Sequence, residues 1–163
     1  MKFPPAGPSP PPAACFVTTP VQPDDFQSKI ERTDRGENGQ GPARILIVED
    51  DFLIAMQTEA ALTEAGFHVV GTATTAEEAV TLAKEERPFL VVMDIRLASR
   101  RDGIDAAGEL FRDLNIRCIF ATAHDDPHTR KRAEPYAPLG WLAKPYTMAS
   151  LVALVIEARS SLD

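Results

Sequence analysis

From Arg44 onward the chain alternates between two hydrophobic rhythms. Short apolar runs cover about 45–48, 68–73, 89–93, 117–121 and 140–143, and between them apolar residues recur every three or four positions. A short apolar run bounded by polar residues reads as a buried parallel strand, and the longer rhythm as an amphipathic helix. The punctuation agrees. A first helix runs over about 52–65 and stops at Gly66, a residue suited to the C′ position. Thr75 and Glu78 have capping-box spacing ahead of a helix over 76–86, and Pro88 closes that stretch. Ile104, Ala107, Phe111 and Leu114 mark one face of a third helix. Asp126 and Pro127 fit N-cap and N1 of a short fourth helix that Pro135 or Pro138 must end. Thr147 caps the last helix, whose Leu151, Leu154, Val155 and Ala158 face inward.

Five strands alternating with five helices are too few for a closed barrel and fit an α/β three-layer sandwich. Right-handed crossovers then put helices on both faces. The flavodoxin-like (βα)5 order, 2-1-3-4-5, makes strands one and three neighbours at the switch point. Ligands in such sheets bind outside the carboxyl ends of the strands. That is where the polar residues fall: Glu49, Asp50 and Asp51 after the first strand, Asp94 after the third, Thr122 after the fourth and Lys144 after the fifth.

Each of these residues has an ordinary reading. An acid after a strand often only caps the next helix, and Asp51 is placed to do so. Three consecutive carboxylates repel one another, however, and a cap needs one of them. Carboxylates, a hydroxyl and an ammonium meeting at one sheet edge suit a divalent cation and a phosphoryl group. Thr122 as a strand-end hydroxyl, or Lys144 as a surface lysine, would be unremarkable alone. Together, at four strand ends, they point to a site.

Composition narrows the class. At 163 residues and 44% hydrophobic, the chain can bury one sizeable core. A net charge of −7 argues against nucleic acid, which needs a clustered basic face. The basic triplet Arg130, Lys131 and Arg132 reads as a solvated helix face. Cys15 and Cys118 form no disulfide framework, and Cys118, inside an apolar strand, is a small buried hydrophobe. His68, His124 and His128 are too dispersed to ligate a metal together, although His124, two residues past Thr122, could affect water access to the site. Met56, Met93 and Met148 read as core fillers. Neither a membrane span nor a secretory leader is evident, so the cytoplasm is expected. Nine of the fourteen prolines fall at or before Pro42, with Pro10, Pro11 and Pro12 in a run. Residues 1–42 are therefore expected to be a disordered tail ahead of a domain over 43–163. Gly36, Gly39 and Gly41 follow no strand and are not a dinucleotide fingerprint.

The segments ILIVEDD, VVMDIRL with the later DGI, IFATA and GWLAKPY resemble the bacterial response-regulator receiver domain of the chemotaxis type. The spacings agree: 44 residues from Asp50 to Asp94, 28 to Thr122 and 22 more to Lys144. The resemblance covers about 44–160. It implies that Asp94 is the phosphoacceptor and that Glu49 and Asp50 form an acidic pocket for Mg2+. The backbone carbonyl of Arg96 would be a further ligand beside Asp94. Thr122 is similar to the family's switch hydroxyl, with Ala123 beside it. Lys144 resembles the phosphate-pairing lysine, Trp141 the switch aromatic, and Lys144-Pro145 the family's cis bond. A single-domain regulator is expected, phosphorylated by a histidine kinase or a histidine phosphotransfer protein. It would act as a phosphate relay or sink, or signal to a protein target or homodimer through the helix 4, strand 5 and helix 5 face.

The chain departs from the family in several places, a short fourth helix with prolines nearby among them. Trp stands at 141 for the usual Tyr or Phe, Tyr146 follows Lys-Pro in place of Phe, and the 98–102 loop lacks the common proline and is about one residue longer. Two rival functions use the same sheet. A Mg2+-dependent aspartyl phosphohydrolase would want an acid two residues after the nucleophile, where Arg96 stands. A nucleotide-binding module would want a glycine-rich loop after the first strand. A receiver kept only as an interaction scaffold need not retain every site position, and all are filled.

Overall fold

The computed structural model describes residues 41–123 and 125–163. The proline run, Cys15, Gly36, Gly39 and His124 lie outside them. Five strands form one parallel sheet: β1 Arg44–Val48, β2 His68–Ala73, β3 Leu90–Asp94, β4 Arg117–Thr122 and β5 Gly140–Ala143. Their order is β2-β1-β3-β4-β5, so the order changes direction between β1 and β3. The helices between and after them are α1 Phe52–Glu64, α2 Ala76–Glu86, α3 Gly103–Leu114, α4 Pro127–Ala133 and α5 Met148–Leu162.

Side-chain alternation along the strands builds two cores. Ile45, Ile47, Leu90, Val92 and Ile119 pack on one face with Leu62 of α1 and with Leu151, Val155 and Ala158 of α5. Leu46, Val48, Val91, Met93, Cys118 and Phe120 pack on the other with α2, α3 and Ala133 of α4. Central strands buried on both sides explain why their sequences are continuously apolar rather than alternating. β1 and β2 fall out of step between Ile45 and Leu46, which leaves Val70 as the extra residue of a bulge in the edge strand.

Helix ends follow their local chemistry. Asp51 caps α1, accepting from the N–H groups of Leu53 and Ile54, and Gly66 follows at φ +88°, a backbone state that glycine adopts without a Cβ penalty. Thr75 caps α2 by accepting from Glu78 N–H, but the Glu78 carboxylate accepts from Thr74, not Thr75, so the expected reciprocal box is displaced by one residue. The complete box is at α3: Asp102 accepts from Asp105 N–H, and Asp105 accepts from Asp102 N–H. Asp126 caps α4 with Pro127 at its start. That helix gives way to a 3₁₀ turn, Glu134–Tyr136, which contains Pro135.

Two expectations about the core fail. Met56 is 50% exposed on α1 rather than filling the core. The buried stripe of α3 is Ile104, Ala106, Ala107, Gly108 and Leu110, while Phe111 sits further out against the ring of Tyr136. Small residues at 106–108 let α3 sink into its neighbours, which rotates the buried stripe away from the larger side chains.

Candidate functional site

Backbone register brings the polar residues together. Glu49 extends the β1–β2 ladder, its N–H donating to Ala73 O at 2.9 Å. Asp94 ends β3 opposite Ala121, Thr122 ends β4 opposite Ala143, and Lys144 N–H donates to Thr122 O at 2.8 Å. The Lys144–Pro145 peptide is cis.

Within this frame the Lys144 ammonium donates to Asp94 Oδ2 at 2.9 Å and to Glu49 Oε2 at 3.0 Å. Asp94 Oδ1 accepts from Arg96 N–H at 3.1 Å, and Glu49 Oε1 accepts from Asp51 N–H at 3.2 Å. Glu49, Asp94 and Thr122 are buried, whereas Asp50 and Ala123 are exposed. Oxygens of Glu49, Asp50 and Asp94 lie within 4.8 Å of one another, close enough to share one cation. Three carboxylates against one ammonium leave two negative charges when all are ionised, which matches a divalent ion. Oxygen donors of this kind suit a hard cation. Of the three consecutive acids, Asp51 is committed to capping, which leaves Glu49 and Asp50 for the pocket.

The electrostatics record the crowding. Burial pushes the Glu49 carboxyl above the ordinary range; the Lys144 hydrogen bond opposes this and the neighbouring Asp94 charge adds to it. Burial works against the Lys144 charge, but hydrogen bonds to Asp94 and then Glu49 outweigh it and hold the ammonium above the usual lysine value. The lysine is therefore firmly charged at neutral pH. Removing it would leave two buried carboxylates facing each other, and breaking a buried ion pair on one side costs about 3–5 kcal/mol.

Sequence reasoning missed several supports of this site. Gly103, in the DGI segment, packs so close to the end of β3 that an added Cβ would lie 2.1 Å from the Asp94 carbonyl oxygen and 2.9 Å from Met93 Cγ. Its N–H donates to Ile95 O at 2.8 Å, which holds the segment after Asp94 in place. We expect Gly103→Ala to destabilise the protein by roughly 2–3 kcal/mol through overpacking. Urea unfolding measures this, and a midpoint equal to the parent's would contradict it. Thr58, buried in α1, lies near the Tyr146 hydroxyl, which stands where the resemblance expects Phe. Burial raises the Tyr146 phenol. No sequence periodicity marks such a pair.

The basic triplet of α4 is largely neutralised locally. Arg130 pairs with Asp125, and Arg132 pairs with Asp102 at 2.8 Å and Asp105 at 3.5 Å. These pairings leave little basic surface for a polyanion. Cys118 is buried, its thiol pushed up to about 12 by desolvation, and is not a nucleophile. His68 and His128 are exposed. Among the described residues no helix is long and apolar enough to cross a membrane.

A family model for the response regulator receiver domain matches residues 45–156. The chain belongs to that family. The receiver is 38% identical over 111 residues to the transcriptional regulatory protein PdtaR of Mycobacterium tuberculosis, covering 68% of this chain and 54% of PdtaR. It is 39% identical over 115 residues to the phyllosphere-induced regulator PhyR of Methylorubrum extorquens, covering 70% of this chain and 42% of PhyR. The chain thus spans about half the length of these curated relatives. Among solved structures, the receiver is similar to a chain of the CheX–CheY–BeF3–Mg2+ complex of Borrelia burgdorferi. The TM-score is 0.70 and the identity 25%, over 78% of this chain and 96% of that one. The five-stranded order and flanking helices are those of the receiver fold.

Proposed function

We propose that this receiver accepts a phosphoryl group on Asp94, in a Mg2+-dependent reaction, from the phosphohistidine of a sensor histidine kinase or histidine phosphotransfer protein. The observation that carries the proposal is Lys144, whose ammonium bridges the carboxylates of Asp94 and Glu49 at the ends of three strands. One Asp94 oxygen forms the new O–P bond as the donor's P–N bond breaks, and the electron pair remains on the imidazole nitrogen. Such a transfer needs positioning and charge neutralisation above all. Lys144 supplies a fixed positive charge beside the attacking oxygen, and Arg96 N–H orients the carboxylate.

Glu49, Asp50 and Asp94, with the Arg96 carbonyl, would hold Mg2+. When bound, the ion supplies charge neutralisation to the phosphoryl oxygens. Thr122 and the backbone beside Ala123 are assigned to the phosphoryl oxygens after transfer. Trp141 is assigned to reporting that event on the α4–β5–α5 face, where a protein target or a second copy of the chain would bind. Donor contact is assigned to the rim of the site, where Phe52 and Leu53 in the first turn of α1 are 75% and 62% exposed. The protein acts as a phosphoryl acceptor rather than a turnover enzyme, in the cytoplasm, where ATP charges such donors. The direct test is intact-mass analysis after acetyl phosphate treatment with and without Mg2+, with a gain of one phosphoryl group expected only with the ion.

The functional unit is assigned to residues 43–163, with 1–42 dispensable. Dense proline and low hydrophobicity before Pro42 support this division. A truncation beginning at Gly41 is expected to keep the parent's melting temperature within about 2 °C and to label at the same rate. A truncated protein that unfolds or labels slowly would overturn the division.

A further inference from the structure

Trp141 has two ring contacts of different kinds. The Phe120 ring, fully buried on the neighbouring strand, lies 5.0 Å away centroid to centroid. The Arg130 guanidinium lies over the indole, 5.0 Å from its centroid. That guanidinium is held in turn by Asp125, Nε donating to Oδ1 at 2.5 Å and a terminal nitrogen to Oδ2 at 2.6 Å. Trp141, Arg130 and Asp125 line one groove with Pro127, Lys131 and Pro138, of about 580 Å3.

We infer that Arg130 is a latch that fixes Trp141 in its resting seat on the α4–β5 groove, and that Asp125 sets the latch. A lone surface ion pair does little, because solvent screens it and two long side chains lose freedom. Here the forked pair does something further. A guanidinium already fixed in its plane by a carboxylate loses less freedom when it stacks on a ring than a free one does. The carboxylate therefore strengthens the cation–π contact, and the contact restrains the indole.

Asp125 lies in the segment between β4 and α4, three residues beyond Thr122. The latch stands on the geometry of Trp141, Arg130 and Asp125 alone and does not depend on the phosphoacceptor reading of Asp94. Arg132, tied to Asp102 and Asp105, anchors the same short helix to the segment after Asp94, so Arg130 acts from a fixed base.

Trp141 is the sole tryptophan, so its fluorescence reads the latch in the unphosphorylated full chain. Acrylamide quenching of Arg130→Ala is expected to rise about twofold, with a red shift in emission, as loss of the cation–π contact frees the ring. Asp125→Asn should move in the same direction by a smaller amount. In the parent, 1 M KCl should mimic Asp125→Asn, while Arg130→Ala should not respond to salt. Quenching of Arg130→Ala equal to the parent's overturns the latch. So does a shift in Arg130→Ala with none in Asp125→Asn, since the carboxylate would then play no part. Should Arg130→Ala fold poorly, Arg130→Lys and the salt titration of the parent carry the same comparison. Mass labelling of Asp94 separates the two proposals: a parent that does not label overturns the phosphoacceptor reading, and the quenching result still decides the latch.

Discussion

Asp94→Asn is expected to abolish acetyl phosphate labelling completely, whereas the parent gains one phosphoryl group per chain. The amide has nearly the same shape, and its one oxygen can still accept from Lys144 or from Arg96 N–H, so the fold should persist with one of these two hydrogen bonds lost. What is lost is the anionic oxygen that attacks phosphorus. The substitution also removes one of three mutually repelling charges, so Asp94→Asn should melt at or above the parent's temperature. That combination distinguishes loss of the nucleophile from loss of structure. Labelling of Asp94→Asn at the parent's rate, or transfer of the label to Asp50, would sink the assignment.

Much of this site was legible before any coordinates because a parallel sheet turns sequence into position. Once the strands are recognised, the residue after each one must lie at the same edge, whatever the intervening helices do. Glu49, Asp94, Thr122 and Lys144 are found together for that reason. The cap assigned to Asp51 follows equally local chemistry, and the structure gives it both N–H groups.

What escaped depends on contacts between elements. The turn of α3 is set by how deeply Ala106, Ala107 and Gly108 let the helix sink against its neighbours, and periodicity alone cannot supply that depth. Met56 has the residue type of a core filler, but the buried face of α1 runs through Ala55, Thr58 and Leu62 and leaves it half exposed. The role of Gly103 is visible only when the Asp94 carbonyl is seen beside its Cα. The basic triplet of α4 read correctly as a solvated face, yet its pairing with Asp102, Asp105 and Asp125 needed the tertiary arrangement.

The second large effect expected is on stability, through the acidic pocket. In the metal-free protein, Glu49, Asp50 and Asp94 crowd three carboxylates against one ammonium, and the native state bears their repulsion. The unfolded chain relieves the part that involves Asp94, which it separates from the adjacent Glu49 and Asp50. Mg2+ should therefore bind the native state selectively and raise the melting temperature by linkage. At a hundredfold excess over Kd the contribution is about 2.7 kcal/mol, which for a domain of this size is a rise of roughly 8–12 °C. Asp50 is the exposed member of the cluster, so Asp50→Asn should disturb packing little. Two changes of opposite consequence are expected from it. Without metal it should melt slightly above the parent, because one repelling charge is gone. With Mg2+ it should gain little, because one ligand oxygen has lost its charge. Differential scanning calorimetry across a Mg2+ titration measures both. A full Mg2+ response in Asp50→Asn would mean that the ion binds elsewhere. A metal-free melting temperature well below the parent's would mean that Asp50 stabilises the fold, and the repulsion argument would fail with it.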